Sequence, residues 1–360
     1  MNIMKGNNSI RFYMALFLLY NIVPLCLEMF YFSKDFYIFS GVIDYEDVIL
    51  FYLVTIMVFG CCFYTNRSSR KIINFSNIAT QLFHMLFVIF LVQLSLLVLF
   101  GIKARFSEGV TRNELLALQH IFLISGSSFI FLGAFVYATL FLNKKHFKLL
   151  VFVFILLDVI YMGKKFTFYA VAIWLFRIDF FSERDTKKPF LIAGALAVCF
   201  LSFIFIVRMV FSGDNGGNDA VFDVGLYAIS SEFLGVYSSI GWAEIYAGLS
   251  EKIWDVDRDL ARYYQSAIGH GLAIHPLAYF KFVFDDDTVW AIAYYFILLL
   301  LIIRVFSNFI GCFIYLIVSV NIMHFTRHGP DIFIKQVFLQ SFFLLLIFSI
   351  SEWYRKVKVN

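Results

Sequence analysis

Apolar stretches close to twenty residues long recur along the chain, separated by short polar connections. They fall at 11–31, 47–65, 82–101, 117–142, 147–162, 165–181, 189–212, 289–306, 308–326 and 333–352. About 20 apolar helical residues cross the hydrocarbon core of a bilayer. The pattern therefore predicts an all-α polytopic membrane protein with about ten transmembrane helices. Composition agrees: only 15% of residues are charged, against about 25% in a soluble domain. The fifth and sixth stretches nearly touch at Gly163-Lys164-Lys165, as a tight helical hairpin would. Three regions follow: a bundle of seven helices over 1–212, a large loop over 213–288 and a bundle of three helices over 289–360.

The loop opens on the turn-forming run Gly213-Asp214-Asn215-Gly216-Gly217-Asn218-Asp219 and closes on Asp285-Asp286-Asp287. Two semi-apolar segments lie inside it, 226–249 and 263–284. If both crossed, the chain would have twelve spans. Glu232 and Glu244 interrupt the first; His270, His275 and several glycines interrupt the second. Re-entrant or interfacial helices are the preferred reading, because irregular backbone survives at membrane depth only when protein or a water-filled cavity covers it.

Lysine and arginine in short loops set orientation. Arg67, Arg70 and Lys71; Lys144, Lys145 and Lys148; Arg184, Lys187 and Lys188; and Arg355, Lys356 and Lys358 occupy alternate connections and the tail. Placing these in the cytoplasm puts both termini there and gives that side a net charge of +12 against −8 outside, within an overall +4. The large loop, with twelve acidic residues, then faces outward. No basic tract supports nucleic-acid binding. The cysteines Cys26, Cys61, Cys62, Cys199 and Cys312 lie in apolar runs without CxxC spacing and are expected to be small buried hydrophobes rather than metal ligands.

Several cations then stand where the charge rule disfavours them: Lys164 and Lys165 in the outward hairpin, Arg208 near the outer end of the seventh helix, and Arg258, Arg262, His270 and His275 in the loop. Arg327 and His328 join them in Thr326-Arg327-His328-Gly329-Pro330. Any one of them reads most simply as an interfacial anchor that snorkels to headgroups. Together, from separate segments on one face, they suggest an anionic partner at the outer membrane boundary. A lipid-linked diphosphate fits, since guanidinium grips phosphate in two places and keeps its charge. Glu232 and Glu244 share a segment with Tyr227, Tyr237, Trp242 and Tyr246, a carboxylate-and-aromatic mixture suited to carbohydrate; the alternative is an aromatic belt. Trp254-Asp255-Val256-Asp257-Arg258-Asp259 lacks the rest of a calcium loop, so no metal is assigned. Asp158 is expected to pair with Lys164 or Lys165.

This layout resembles the O-antigen polymerase (Wzy-like) family of oligosaccharide repeat-unit polymerases. The resemblance covers nearly the whole chain in arrangement. In letters it rests on Gly163-Lys164-Lys165-Phe166, on Arg258 followed by ten residues and then Gly269, and on Arg327-His328-Gly329-Pro330. It implies glycosyl transfer at the outer face of a bacterial inner membrane, moving a growing glycan on undecaprenyl diphosphate onto a fresh lipid-linked repeat unit. Arg208, Arg258, Arg262 and Arg327 would bind the diphosphate with Lys164 and Lys165 as helpers; Glu232 or His270 would deprotonate the acceptor hydroxyl. No cofactor, metal or nucleotide sugar is implied. Partners would be the lipid-linked oligosaccharide, membrane lipid, a chain-length regulator and a flippase.

Four other classes compete, of which a non-enzymatic scaffold would not need the outward cations. A flippase for the same lipid would carry charges through its central spans, which here are nearly charge-free at mid-depth. A membrane O-acyltransferase would show an early arginine and histidine in the first span; Arg11 to Tyr31 contains no histidine. An O-antigen ligase shares the chemistry and differs only in its acceptor.

Overall fold

The computed structural model describes residues 8, 11–12, 15–20, 22–23, 45–65, 76–107, 129–161, 163, 165–181, 188–211, 239–247, 274–311 and 313–359. Regular structure among them is helical: α1 (Tyr45–Thr65), α2 (Asn77–Arg105), α3 (Phe129–Leu140), α4 (Lys144–Tyr161), α5 (Lys165–Phe181), α6 (Lys188–Phe211), α7 (Pro276–Phe284), α8 (Thr288–Ile310), α9 (Phe313–His328) and α10 (Pro330–Val359). Further helical turns cover 15–20 and 239–245. Among the described residues three stretches are long and apolar enough to cross a membrane by length and composition: Asn77–Arg105, Pro276–Ile310, which joins α7 and α8, and Pro330–Tyr354.

Local sequence explains the helix boundaries. Ser76 caps α2 by accepting from the Ala79 amide at 3.3 Å, and Lys103 and Arg105 sit in its last turn, where the helix dipole favours cations. α7 begins with Pro276, whose fixed φ suits a first helical position, behind the N-cap His275. The α3 C-terminus is closed from a distance. Arg177 on α5 donates to the carbonyl of Ala138 (2.9 Å), in the last turn of α3, and to that of Leu142 (2.7 Å), just beyond the helix.

Ring contacts fix the helix directions. Phe87 meets Tyr137 at 5.0 Å and Phe90 meets Phe131 at 5.9 Å, so α2 and α3 are antiparallel. The Arg177 guanidinium lies 4.5 Å from the Phe147 ring centre, while the Asp158 carboxylate meets the start of α5, so α4 and α5 form a hairpin. Phe296 to Phe325 (6.4 Å) and Phe313 to Phe348 (6.2 Å) establish the same alternation through α8, α9 and α10. α5 and α9 are buried on nearly every side, with Phe176 and Phe313 in contact at 6.3 Å. Around them α2, α6, α8 and α10 turn one apolar face outward, exposing Leu99, Leu191, Leu301 and Leu346. Such a surface is unfavourable in water and natural against lipid. Cys199 shares this outer face and is exposed, which corrects its expected burial: position in an apolar run does not separate a core side of a helix from a lipid side.

α7 behaves differently from the rest. In a continuous helix Phe280 and Tyr295 would stand about 22 Å apart; their rings meet at 5.3 Å. The chain reverses at Asp285, whose φ of 43° is unusual for a residue other than glycine, so α7 doubles back along α8. At about 13 Å long it falls far short of a bilayer core of about 30 Å.

The two ends of the bundle differ in their acidic residues. Asp47, Glu244, the Asp285–Asp287 turn and Asp331 gather at one, here termed the acidic end, although it also carries Lys103, Arg105, Lys165 and Lys281. Lys144, Lys145, Lys148, Arg177 and Lys188 lie at the other, the basic end.

Candidate functional site

The acidic end carries a buried ion cluster built from three separate stretches of chain. Lys281, on α7, places its Nζ 2.7 Å from Asp47 Oδ2, in the first turn of α1, and 2.5 Å from Glu244 Oε1, on the helical turns at 239–245. The lysine side chain is only 9% exposed, and the two carboxylates keep 24% and 18%. Ammonium at this depth requires a partner, since an unpaired buried charge costs several kcal/mol. Two acids share one base, so the cluster carries a surplus negative charge when all three are ionised.

A second tie joins the same elements. The His275 amide donates to Ser239 Oγ at 2.8 Å, and the Leu277 amide donates to His275 Nδ1 at 3.1 Å. A nitrogen that accepts carries no proton, so His275 is the neutral tautomer rather than one of the outward cations. Its ring lies against Phe51 (5.6 Å) and Tyr52 (6.2 Å) on α1. Trp242 and Tyr246, one turn apart, stack at 5.6 Å with an interplanar angle of 5° and flank Glu244 in sequence.

α7 also reaches the turn between the last two helices. α9 ends at His328, Gly329 takes a φ of +91°, and α10 starts at Pro330. A Cβ on Gly329 would lie 3.3 Å from Tyr279 Cδ2, so the turn needs glycine for both its dihedral and its packing. Tyr295 donates to the Pro330 carbonyl at 3.0 Å and holds the same turn against α8. One face of the acidic end thus brings together the Glu244 segment, α7 and the backbone of the Arg327-His328-Gly329-Pro330 turn.

Lys165 is half-buried at the start of α5, also at the acidic end. Of the two partners expected for Asp158, Lys164 lies outside the described residues and Lys165 forms no ion pair with it. The Asp158 carboxylate accepts from the backbone amides of Phe166 (3.2 Å) and Thr167 (2.5 Å), closing the first turn of α5, and Lys165 acts on it only as a neighbouring charge. Gly163 permits the approach: a Cβ there would sit 3.0 Å from Asp158 Oδ1.

Of the other expected site residues, Arg208 lies in the last turn of α6 and Arg327 in the last turn of α9, with side chains outside the described residues. Lys164, Glu232, Arg258, Arg262 and His270 fall outside them altogether. Among the described residues, no three His, Cys, Asp or Glu side chains gather to hold a metal ion. Lys281 and Asp47 were not singled out from sequence. The available signal was a lone lysine inside the apolar run Pro276–Phe284, which implies a partner acid somewhere.

No family model matches this chain, and neither a curated protein nor a solved structure matches it.

Proposed function

We propose that this protein is a polytopic glycosyltransferase of the repeat-unit polymerase kind, which lengthens an undecaprenyl-diphosphate-linked glycan at the periplasmic face of a bacterial inner membrane. The observation that carries the reading is the position of α7. Lys281 on this helix binds Glu244, beside the stacked Trp242 and Tyr246, while Tyr279 on the same helix packs against Gly329 in the Arg327 turn. A carboxylate-and-aromatic segment of the kind that holds sugars thereby neighbours a turn of the kind that holds phosphate. The alternating helix directions are compatible with ten spans. The positive-inside tendency would put the basic end, and both termini, in the cytoplasm.

In this reaction the acceptor hydroxyl oxygen of the incoming repeat unit bonds to the anomeric carbon of the growing chain. The bond from that carbon to the diphosphate breaks, and undecaprenyl diphosphate leaves with the electron pair. Glu232 or His270 takes the hydroxyl proton. Arg208, Arg258, Arg262 and Arg327, with Lys164 and Lys165, stabilise the charge that develops on the diphosphate and is complete only after cleavage, so their contribution falls on rate.

Deleting the gene in a host that makes the corresponding polysaccharide tests the assignment. Loss of a polymerase leaves a single repeat unit on the acceptor core, loss of a flippase leaves none, and loss of a ligase leaves long chains on the lipid carrier. Arg327→Ala and Arg258→Ala should abolish chain growth at unchanged protein level. Chains of wild-type length in both variants would reject the proposal.

A further inference from the structure

We propose that a groove between α4, α5 and α6, at the basic end, binds one anionic phospholipid, its acyl chain along the groove and its phosphate at Lys148. The groove has a volume of about 490 Å³, inside the range of roughly 300–1,000 Å³ common for small-molecule sites. It exists because α6 leans on α5 rather than on α4, leaving an open slot beside the tight α4–α5 hairpin. Two turns of each helix line it, about 10 Å along each axis, with Trp174 and Leu196 among the walls and Cys199 at its surface. Lys148 is the single charged residue among the described lining residues.

The charge at the mouth selects the headgroup. Lys144, Lys145 and Lys148 are all exposed in the first turns of α4. Arg177, close by, is already committed to two carbonyls and the Phe147 ring, so the lysines are left to meet the ligand. A second apolar groove, of about 580 Å³ between α2 and α4, reaches His146 in the same stretch. The basic turns of α4 therefore stand at the head of two apolar channels. A phosphodiester with one net negative charge and long acyl chains satisfies both features. A zwitterionic phosphatidylcholine would bring its ammonium up against three lysines.

The test uses the full-length protein in mild detergent, titrated with phosphatidylglycerol or phosphatidylcholine of identical chains, with bound lipids counted by native mass spectrometry. Each lysine near an anionic headgroup contributes roughly fivefold in affinity. Phosphatidylglycerol should therefore bind at lipid concentrations at least about tenfold lower than phosphatidylcholine. Lys148→Gln should narrow that gap by roughly fivefold. Leu196→Trp, at a position 56% exposed and so without effect on the core, should fill the slot and weaken both lipids. Equal binding of the two lipids would overturn the proposal. So would a preference that survives Lys148→Gln unchanged, or binding indifferent to Leu196→Trp.

Discussion

Lys281 and Glu244 meet at 2.5 Å although they belong to segments with no regular element in common, and Asp47 completes the contact from α1. Because two carboxylates share one ammonium, removing the base and removing one acid are not equivalent. Lys281→Met leaves two partly buried anions facing each other and should destabilise the fold by about 3 kcal/mol, the low end for a broken buried pair because both acids retain some water. Glu244→Gln leaves a balanced Lys281–Asp47 pair and should cost about 1 kcal/mol. Thermal unfolding in detergent, monitored for both variants, checks the order. A Glu244→Gln protein as unstable as Lys281→Met would show that the cluster does not balance its charges in this way.

Asp158 is a helix cap, and this separates its role from that of Lys165. Asp158→Ala removes the acceptor for the Phe166 and Thr167 amides and should lower stability by about 1–2 kcal/mol. Lys165→Met leaves those bonds in place and should change stability by less than about 0.5 kcal/mol. If Lys165 also serves a diphosphate, the same variant should shorten the glycan chains at normal protein level. Equal destabilisation by the two substitutions would mean that an ion pair, rather than the cap, holds the hairpin.

What the sequence made legible follows from how each feature is encoded. Helices such as α2, α5 and α8 are written as dense local runs of apolar residues, and their boundaries fall within a few residues of the apolar stretches. The Gly163 hairpin was readable for the same local reason. The interruption of 263–284 by His270, His275 and glycines likewise marked a segment unlike the spans, and its end is the short α7 that doubles back along α8. The Lys281 cluster was not readable. Its three members are scattered along the chain, and nothing near Asp47 or Glu244 in sequence points to α7. The Asp158 contact was missed for another reason: charge pairing was sought among side chains, whereas the donors are main-chain amides at the start of a helix. The exposure of Cys199 required knowing which face of α6 looks outward.

Gly101 and Tyr161 define how closely α2 and α4 approach. The Tyr161 hydroxyl donates to the Leu97 carbonyl at 2.8 Å, and its ring lies where a Cβ on Gly101 would come within 2.7 Å. Gly101→Ala must push aside a fully buried, hydrogen-bonded ring and should cost about 1–3 kcal/mol. Tyr161→Phe keeps the packing and loses one hydrogen bond, about 1 kcal/mol. Denaturation of the two variants in the same detergent compares them. A Gly101→Ala protein of wild-type stability would mean that the ring moves freely, against its burial.

Asn321 and Gln340 give the last prediction, on the α9–α10 hairpin. Asn321 Nδ2 donates to Gln340 Oε1 at 2.8 Å and also to the Ile317 carbonyl at 2.7 Å, with both side chains buried. In an apolar surrounding the single variants Asn321→Leu and Gln340→Leu each take one hydrogen-bond partner from the other buried amide. They should cost about 1–3 kcal/mol apiece. The double variant removes both polar groups together and should be less destabilising than the two costs combined, by a coupling of about 0.6–1.7 kcal/mol. A double-mutant cycle by thermal unfolding measures that difference directly. Strict additivity would show that the pair does not act as a unit, and that the hairpin rests on ring packing, such as that of Phe313 with Phe348, rather than on this polar link.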